Sequence, residues 1–435
     1  MNLLETYKKR LTVSEKLYSD THMGESMDNN KKLLVAALLQ NTQKFLGEAL
    51  EASNGTQRAD LGLYKKFCVN LVNVAVPTLV STELVITYPM TSMSGYVAYL
   101  EYSASTKKGA TEQGDVFNSP FALKKVDSNY TGDAVVEETK ASTKFTAAWT
   151  PIMKGVFVNE GKEYDYKMIG TDGAITYGNF AADGSIAAGS VVDGKVAYRY
   201  DNTIVPQNDL PRINAEMKNI PLLAKARRIA IYYSQLAAYQ AKQDYGFDLN
   251  DSLSEQAVGR LAYEIDTEVI ELLDETAGDA VDTLKWSKTI PVGVSKRDHY
   301  AGFAEVIEIA KSQIYQATQR FIPNYIIVAS DILPVLSFID NYNPSTNSSI
   351  NGPYLAGTFG PLKVIVSPAL ESGRFLIGVN GNDLMSSVAV YAPYMPIVPT
   401  SLLQTADGGT TQGFSTLYDL KVLNPSLICA GAIEV

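Results

Sequence analysis

Histidine, tryptophan and cysteine are nearly absent from this sequence, two of each in 435 residues. With only Cys68 and Cys429, far apart in the chain, neither a disulfide framework nor a cysteine-rich metal site can be built, and a reducing compartment is the simplest setting. His22 and His299 are also far apart, and neither falls in a His-x-x-x-His spacing. Each reads as a structural or exposed histidine rather than a catalytic or metal-bound one. Long apolar runs are missing as well: no stretch reaches the roughly 18 residues that a bilayer-spanning helix needs, and Met1 to Arg10 has no apolar signal core. We therefore expect no membrane association. Positive charge is in deficit, with 37 basic against 47 acidic residues and a net charge of -10. That excludes the basic footprint of a duplex-wrapping protein and leaves only weak, non-specific contact with nucleic acid. There is no phosphate-cradling Gly-x-x-x-x-Gly-Lys-Ser/Thr loop and no Gly-x-Ser-x-Gly elbow. Gly378 to Asp383 superficially looks like a calcium loop, but it lacks spaced acidic ligands and a terminal Glu and reads as a plain turn. No residue is assigned a catalytic, cofactor-binding or metal-binding role, and no enzyme activity is expected.

Tyrosine is abundant, 26 residues, in a chain that is 46% hydrophobic and long enough for two or three domains. Tyr suits interfaces that are both apolar and wet, although many will be core or strand residues with a satisfied hydroxyl. Apolar spacing predicts an amphipathic helix from Asn29 to Ala52 and a second helix over Tyr64 to Val72, ending before Pro77. Leu84 to Tyr88 and Gly95 to Tyr102 read as strands. From Ser103 to Val205 the composition shifts to small and polar residues with turns at Thr171-Asp172-Gly173, Ala182-Asp183-Gly184 and Val192-Asp193-Gly194, the pattern of a β-rich insertion. Leu222, Ala226, Ile229, Tyr233 and Leu236 share a helical face, predicting one long helix from Leu222 to Asp244 with Gly246 as its C-cap. Ser252 with Glu255 reads as a capping box opening a further helix that stops near Gly278. A third helix is expected over Ala301 to Arg320, then a buried strand at Tyr325 to Ala329, a short helix capped by Ser330, and strands at Leu362 to Val366 and Phe375 to Val379. Pro393 and Pro396 forbid a helix in Val388 to Val398, which must be a bent or edge strand, with Thr416 to Leu423 returning beside it. The fold class is mixed α+β without a βα repeat. Glu264, Asp266, Glu268 and Glu271 form an acidic cluster, either a wall that repels packaged DNA or a solvated helix face. Lys225, Arg227 and Arg228, placed near a helix start, hint that something acidic meets them, such as a neighbouring subunit's carboxylates.

The run Tyr391-Ala392-Pro393-Tyr394-Met395-Pro396, then Gly413 to Tyr418 and Leu423-Asn424-Pro425, resembles the C-terminal end of the T-even phage major capsid proteins, members of the Hong Kong 97 phage capsid fold. Val76-Pro77-Thr78-Leu79 and Pro89-Met90-Thr91-Ser92 resemble the start of that family's extended loop. Ala224-Lys225-Ala226-Arg227-Arg228 resembles the opening of its spine helix, and Leu261 to Thr276 the next helix of its peripheral domain. Tyr300-Ala301-Gly302, Asn324 to Ser330 and Gly357 to Val364 resemble its axial domain. The shared order of these motifs carries more weight than any one of them. Ser103 to Val205 has no matching motif. The relatives lose an N-terminal segment after an Ile/Leu-x-Glu site. Leu3-Leu4-Glu5 and Leu46-Gly47-Glu48 fit that pattern, and with Met1 present the expectation is an uncleaved or immature form.

The resemblance implies a Hong Kong 97-type α+β fold. Its parts are an N-terminal arm with helices (residues 1–80), an extended loop carrying an insertion (81–212, insertion about 103–205), spine helix and peripheral domain (213–298), axial domain (299–392) and C-terminal return strands (393–435). It implies a structural protein that self-assembles into the icosahedral head shell of a tailed double-stranded DNA bacteriophage, in hexameric capsomers with or without pentamers. Scaffold, portal and vertex or decoration proteins are the implied partners, with assembly in the host bacterial cytoplasm. An encapsulin-like compartment shell is the first alternative, although such chains are shorter and lack a large loop insertion. A secreted glycan-binding adhesin or hydrolase is the second, opposed by the missing catalytic constellation and signal peptide.

Overall fold

The computed structural model describes residues 3–51 except 23, 79–106, 111–117 except 112, 130, the strand backbones between 135 and 200, and 211–434 except 280–281, 319, 346–351, 401–402 and 406–407. The helix expected over Tyr64 to Val72 lies outside these residues. The chain forms two compact units, one from residues 1–97 with 219–435 and the other from 98–218.

The first unit begins with a helical hairpin, α1 (Leu3–Thr21) and α2 (Asn29–Glu51). It buries its own apolar cluster, in which Tyr7, Leu11 and Tyr18 meet Leu34, Val35, Leu38 and Leu39. The one-turn helix α3 (Ser81–Leu84) and the short strand β1 (Ile86–Thr87) occupy the segment read as a single strand from Leu84. The chain leaves this unit along β2 (Ser94–Ala104).

In the second unit, β3 (Val135–Lys140), β4 (Trp149–Pro151) and β8 (Gly194–Tyr200) form one three-stranded sheet. A second is formed by β5 (Gly155–Asn159), β6 (Lys162–Met168) and β7 (Ile175–Tyr177). Strands β6 and β7 are antiparallel neighbours, and the Thr171-Asp172-Gly173 turn expected between them lies outside the described residues. At the base of the unit the Tyr130 hydroxyl donates toward the carbonyls of Thr106 (3.1 Å) and Arg212 (3.0 Å). The chain returns along β9 (Ile213–Leu223), which pairs with β2.

The segment Leu222 to Asp244 is not the long helix expected. β9 runs through Leu223, and β10 (Lys225–Ser234) follows as an extended strand. Its register against the antiparallel β19 (Gly409–Val422) is continuous from Lys225 opposite Tyr418 to Ser234 opposite Gly409. Helix begins only at α4 (Gln235–Gln240), with the Ser234 hydroxyl accepting from the Ala237 amide (3.1 Å), and passes into a π-turn over Ala241–Tyr245. Gly246 terminates it in the left-handed conformation, as the sequence indicated.

The long helix of the molecule is α5 (Leu249–Ala277), 29 residues. It is capped by Asp248, whose carboxylate accepts from the Asn250 amide (3.0 Å), rather than by Ser252. It ends at Gly278, as expected. After β11 (Lys285–Ser287), the third expected helix starts five residues early and is broken at Gly302 into α6 (Lys296–Ala301) and α7 (Phe303–Thr318). The buried β12 (Tyr325–Ala329) follows, then α8 (Leu333–Leu336), which is entered at Ile332 rather than capped by Ser330.

Strands β13 (Tyr342–Pro344), β14 (Tyr354–Phe359), β15 (Leu362–Ser367), β16 (Arg374–Gly378) and β20 (Ile428–Glu434) complete a seven-stranded sheet of order β11-β20-β16-β12-β15-β14-β13. Its largest core side chains include Phe303, Tyr325 and Phe375, packed with α5 and α7 residues in one continuous cluster. A second sheet has the order β1-β17-β19-β10, where β17 is Ala389–Pro399 and β18 (Leu403–Gln404) pairs with β19 to one side. Pro393 and Pro396 of β17 sit where its register against β19 shifts, between Pro393 and Met395 and between Met395 and Val398. This strand is bent, as expected, because a residue without an N–H is accommodated at a bulge.

Candidate functional site

Side chains with expected charge or chemistry gather at two places in the first unit. The first lies between the N-terminal hairpin and α3. The Glu83 side chain is only 6% exposed, and three chain segments converge on it. Tyr18 donates its hydroxyl to Oε1 (2.5 Å), Lys31 reaches the same oxygen, and Lys363 of β15 donates to Oε2 (3.0 Å). Lys31 also donates to the Tyr18 hydroxyl (2.8 Å), and Lys363 to Glu25 (2.6 Å). His22 stacks on Tyr18, ring centroids 4.1 Å apart, with Nδ1 3.2 Å from the Tyr18 carbonyl and Nε2 3.8 Å from Glu83. Burial alone would raise the pKa of Glu83. The two ammonium groups and the donated hydrogen bonds outweigh it and hold the carboxyl at about 2. Burial, reinforced by the two lysines, pushes His22 below its ordinary value against the pull of Glu83.

The second place is the middle of α5. Asp266, expected either to repel nucleic acid or to lie on a solvated face, is buried. Its oxygens accept from the amides of Ser81 (2.8 Å) and Val80 (3.2 Å), satisfying two of the free N–H groups at the start of α3. Desolvation raises its pKa to about 7 although those two donors oppose the shift. A carboxyl raised in this way contributes most to stability below its ordinary value of 3.8, and that contribution is lost as the pH rises through about 7. The stability advantage of the wild type over Asp266→Asn is therefore expected to shrink between pH about 4 and about 7. Urea midpoints measured at both ends of that window check this; a constant difference would contradict it.

Its neighbours behave otherwise. Glu268 pairs with Arg227 (2.6 Å) and accepts from the Tyr418 hydroxyl, while Glu264 pairs with Arg260 (2.9 Å) and lies 3.6 Å from Arg227. The acidic partner that the sequence required for Arg227 is thus found in the same chain, across the contact of β10 with α5. Lys225, Arg228 and Glu271 are exposed.

His299 stacks on Trp286 (4.9 Å) with Nε2 2.9 Å from the Ser287 carbonyl, remote in sequence from His22 and in a different setting. Cys429 is a half-buried thiol pushed up to about 12 by burial, and Cys68 lies outside the described residues. Within Gly378 to Asp383 the Asn380 amide donates to the Glu83 carbonyl (2.8 Å) and Asp383 caps a turn of 3₁₀ helix. Gly378 ends β16, and Asn380 forms an isolated antiparallel bridge with Ser387. Leu3-Leu4-Glu5 starts α1, and Leu46-Gly47-Glu48 lies within the last turns of α2. Among the described residues no group of three or more His, Cys, Asp or Glu side chains could hold a metal ion, and no helix is long and apolar enough to cross a membrane.

Sequence reasoning missed Glu83, Lys31, Lys363 and Tyr18 altogether, because their relation is purely tertiary. Asp266 did leave a signal. It stands four and seven residues before Ile270 and Leu273, on the apolar face of its own helix.

Residues 62–431 match the family model described as "Major capsid protein Gp23". The chain is 22% identical over 397 residues to the major capsid protein of Vibrio phage KVP40, covering 82% of this chain and 75% of that one. It is 22% identical over 227 residues to the major capsid protein of Enterobacteria phage T4, covering 46% of this chain and 43% of that one. Among solved structures, a Mycobacterium phage Cain chain is similar with a TM-score of 0.40 at 10% identity, covering 82% of this chain and 90% of that chain. A virus-like particle from Pyrococcus furiosus gives 0.33 at 15% identity, covering 51% of this chain and 81% of that one.

Proposed function

Since this chain belongs to the major capsid protein family Gp23, we propose that it tiles the closed icosahedral head of a tailed bacteriophage, in hexameric capsomers and pentamers around double-stranded DNA. The family makes its role that of a major capsid protein, a structural part of the virion shell. The observation that carries the proposal is the extent of the family match, which runs from ahead of α3 into β20 and so takes in nearly all the sheet-forming chain.

In a Hong Kong 97-type arrangement the spine is α5, since 29 unbroken helical residues give a rod of about 43 Å. The strands β2 and β9 lead to and from an extended loop whose insertion is the separate unit of residues 98–218. The seven-stranded sheet with α7 forms the axial domain, and β17 and β19 return the C-terminal segment to the spine. The net charge of -10 supports weak rather than adhesive contact with the enclosed genome. Assembly takes place in the host cytoplasm with scaffold, portal and vertex or decoration proteins.

Negative-stain electron microscopy and sedimentation of the purified full-length chain test the reading. Closed shells or capsomer rings are expected, and treatment with a chelator is expected to leave them intact. A chain that remains monomeric at all concentrations, with or without a co-expressed scaffold, would refute it.

A further inference from the structure

The segment from Ser234 to Phe247 presents apolar surface that the described residues of its own subunit leave uncovered. Helix α4 buries none of its six residues, and the π-turn after it buries only Ala241. Leu236, Tyr239 and Tyr245 are 68%, 64% and 77% exposed, and Phe247 is exposed beside Tyr245, ring centroids 6.3 Å apart. Leu236 and Tyr239, three residues apart, share one face of the helix. So short a helix is not stable on propensity alone, and packing has to supply what its caps at Ser234 and Gly246 do not. A second uncovered apolar feature follows β11, where Ile290, Val292 and Val294 are all exposed, Val292 fully. This turn is fixed rather than loose. The Val294 amide donates to the Pro291 carbonyl (3.2 Å), and Gly293 takes the left-handed conformation, φ 91°. Its stem is tied by the Lys288 amide to the Glu434 carbonyl (2.8 Å) and by His299 to the Ser287 carbonyl (2.9 Å). A knob already held in shape loses little conformational freedom when it is buried. We propose that the turn Ile290–Val294 of one copy of this chain packs on Leu236, Tyr239, Tyr245 and Phe247 of a second copy.

Charge selects this occupant. Asp244 precedes Tyr245, Asp248 follows Phe247 and Asp251 stands in the first turn of α5; all three are exposed, against Lys242. Around the turn and its stem, Lys285, Lys288, Lys296 and Arg297 outnumber Asp298, Asp340 and Glu434, with Arg297 paired to Asp340 (2.5 Å). An acidic rim therefore meets a basic one, which favours encounter of the two surfaces and opposes pairing of either with its own kind. The surfaces belong to opposite ends of α5. Phe247 stands just ahead of Leu249, where the helix starts. The stem of the turn lies beside its other end: Lys285 is opposite Ala432, Ala432 is opposite Arg374, and Arg374 reaches Asp274 and the Gly278 carbonyl. Both surfaces are exposed in one subunit, so the turn does not close on its own chain. A contact between two different surfaces is heterologous: each copy keeps one turn and one aromatic surface free for its neighbours, and copies join head to tail into a closed ring or a growing lattice. This contact rests on the shell reading above and adds to it the surfaces that meet.

Cross-linking between two variants of the full-length chain is the test. Val292→Cys and Leu236→Cys, both at exposed positions, are purified separately, mixed, allowed to assemble and treated with a short bismaleimide, with the unaltered chain and its own Cys68 and Cys429 as the control. A covalent dimer is expected in the mixture that neither variant gives alone. Shells that form from the mixture without that dimer overturn the contact and leave the shell reading standing. Dimers from either variant alone, above the control, mean that like surfaces meet and overturn it too. A chain that stays monomeric at all concentrations overturns both readings. Charge is tested at the same position. Val292→Asp carries a carboxylate to the acidic rim and Val292→Lys carries a cation, so both should lower the yield of sedimenting shells, the aspartate by about tenfold more. A yield from Val292→Asp equal to or above that from Val292→Lys overturns the contact. Amide hydrogen exchange on the wild-type chain, unassembled and assembled, keeps the question open to measurement if a variant does not fold: protection should rise over residues 235–247 and 289–295, and no rise at either segment overturns the proposal.

Discussion

Val269→Pro is expected to leave no folded subunit. Val269 lies near the middle of α5, fully buried among Ile265, Ile270 and Leu273. Proline there deletes the hydrogen bond from the backbone N–H to the carbonyl of residue 265 and drives its ring into the preceding turn, which costs about 3 kcal/mol or more before any loss of packing is counted. That is a large share of the roughly 5–15 kcal/mol that holds a typical domain together. Because α5 packs on both sheets, the damage cannot be confined to one layer. Glu271→Ala, two residues along at an exposed position of the same helix, should stay within about 0.5 kcal/mol of the wild type. Circular dichroism and soluble yield compare the two. A Val269→Pro chain that melts like the wild type would remove α5 from any central role in the fold.

The second large effect is expected where β16 and β20 meet. Phe375 is fully buried, with its ring edge-on to Phe303 at 5.3 Å, and it lies directly over Gly431. A Cβ at Gly431 would stand 2.2 Å from the Phe375 ring. This glycine is required by close approach, since neither strand can retreat without breaking its ladder. Phe375→Ala should cost about 3–5 kcal/mol through the cavity it leaves. Gly431→Ala should cost about 1–3 kcal/mol through overpacking. The two should not add: in Phe375→Leu the ring is gone, and the penalty of Gly431→Ala measured in that background should fall by more than about 0.5 kcal/mol. Urea denaturation of the single and double variants gives the coupling, and strict additivity would mean that the sheet adjusts elsewhere.

Much of the fold was legible where local signals and tertiary demands agreed. The hairpin helix at Asn29, the buried strand at Tyr325 and the bent strand at Pro393 all came from periodicity or from proline's missing donor. The stops at Gly246 and Gly278 followed from glycine's access to positive φ. The segment from Leu222 to Ser234 shows why other parts were not. Leu222, Ala226, Ile229 and Tyr233 satisfy a helical period, yet Arg227, Ile229, Ile231 and Tyr233 satisfy a period of two equally well. Two isoleucines and two tyrosines within five residues favour a pleated surface. The choice is made by β19, about 190 residues further on, which no local window contains. The same holds for the charge clusters. Arg227 announced an acidic partner without naming it, and Glu83 gave no sign, because its ligands come from positions 18, 31 and 363.

The placement of β20 has a consequence for biosynthesis. Among the described residues strand β11, at residues 285–287, has β20 as its only sheet neighbour, and β16 is paired on one side by β20, at residues 428–434. More than 140 residues must therefore be translated after β11 before its partner exists. Loop closure over such a span is slow, and a nascent chain must carry Trp286 and the edge of β16 without their native neighbours until residues 428–434 have been made. The seven-stranded sheet therefore gains the strand that joins β11 to β16 only after every other strand of that sheet has been translated.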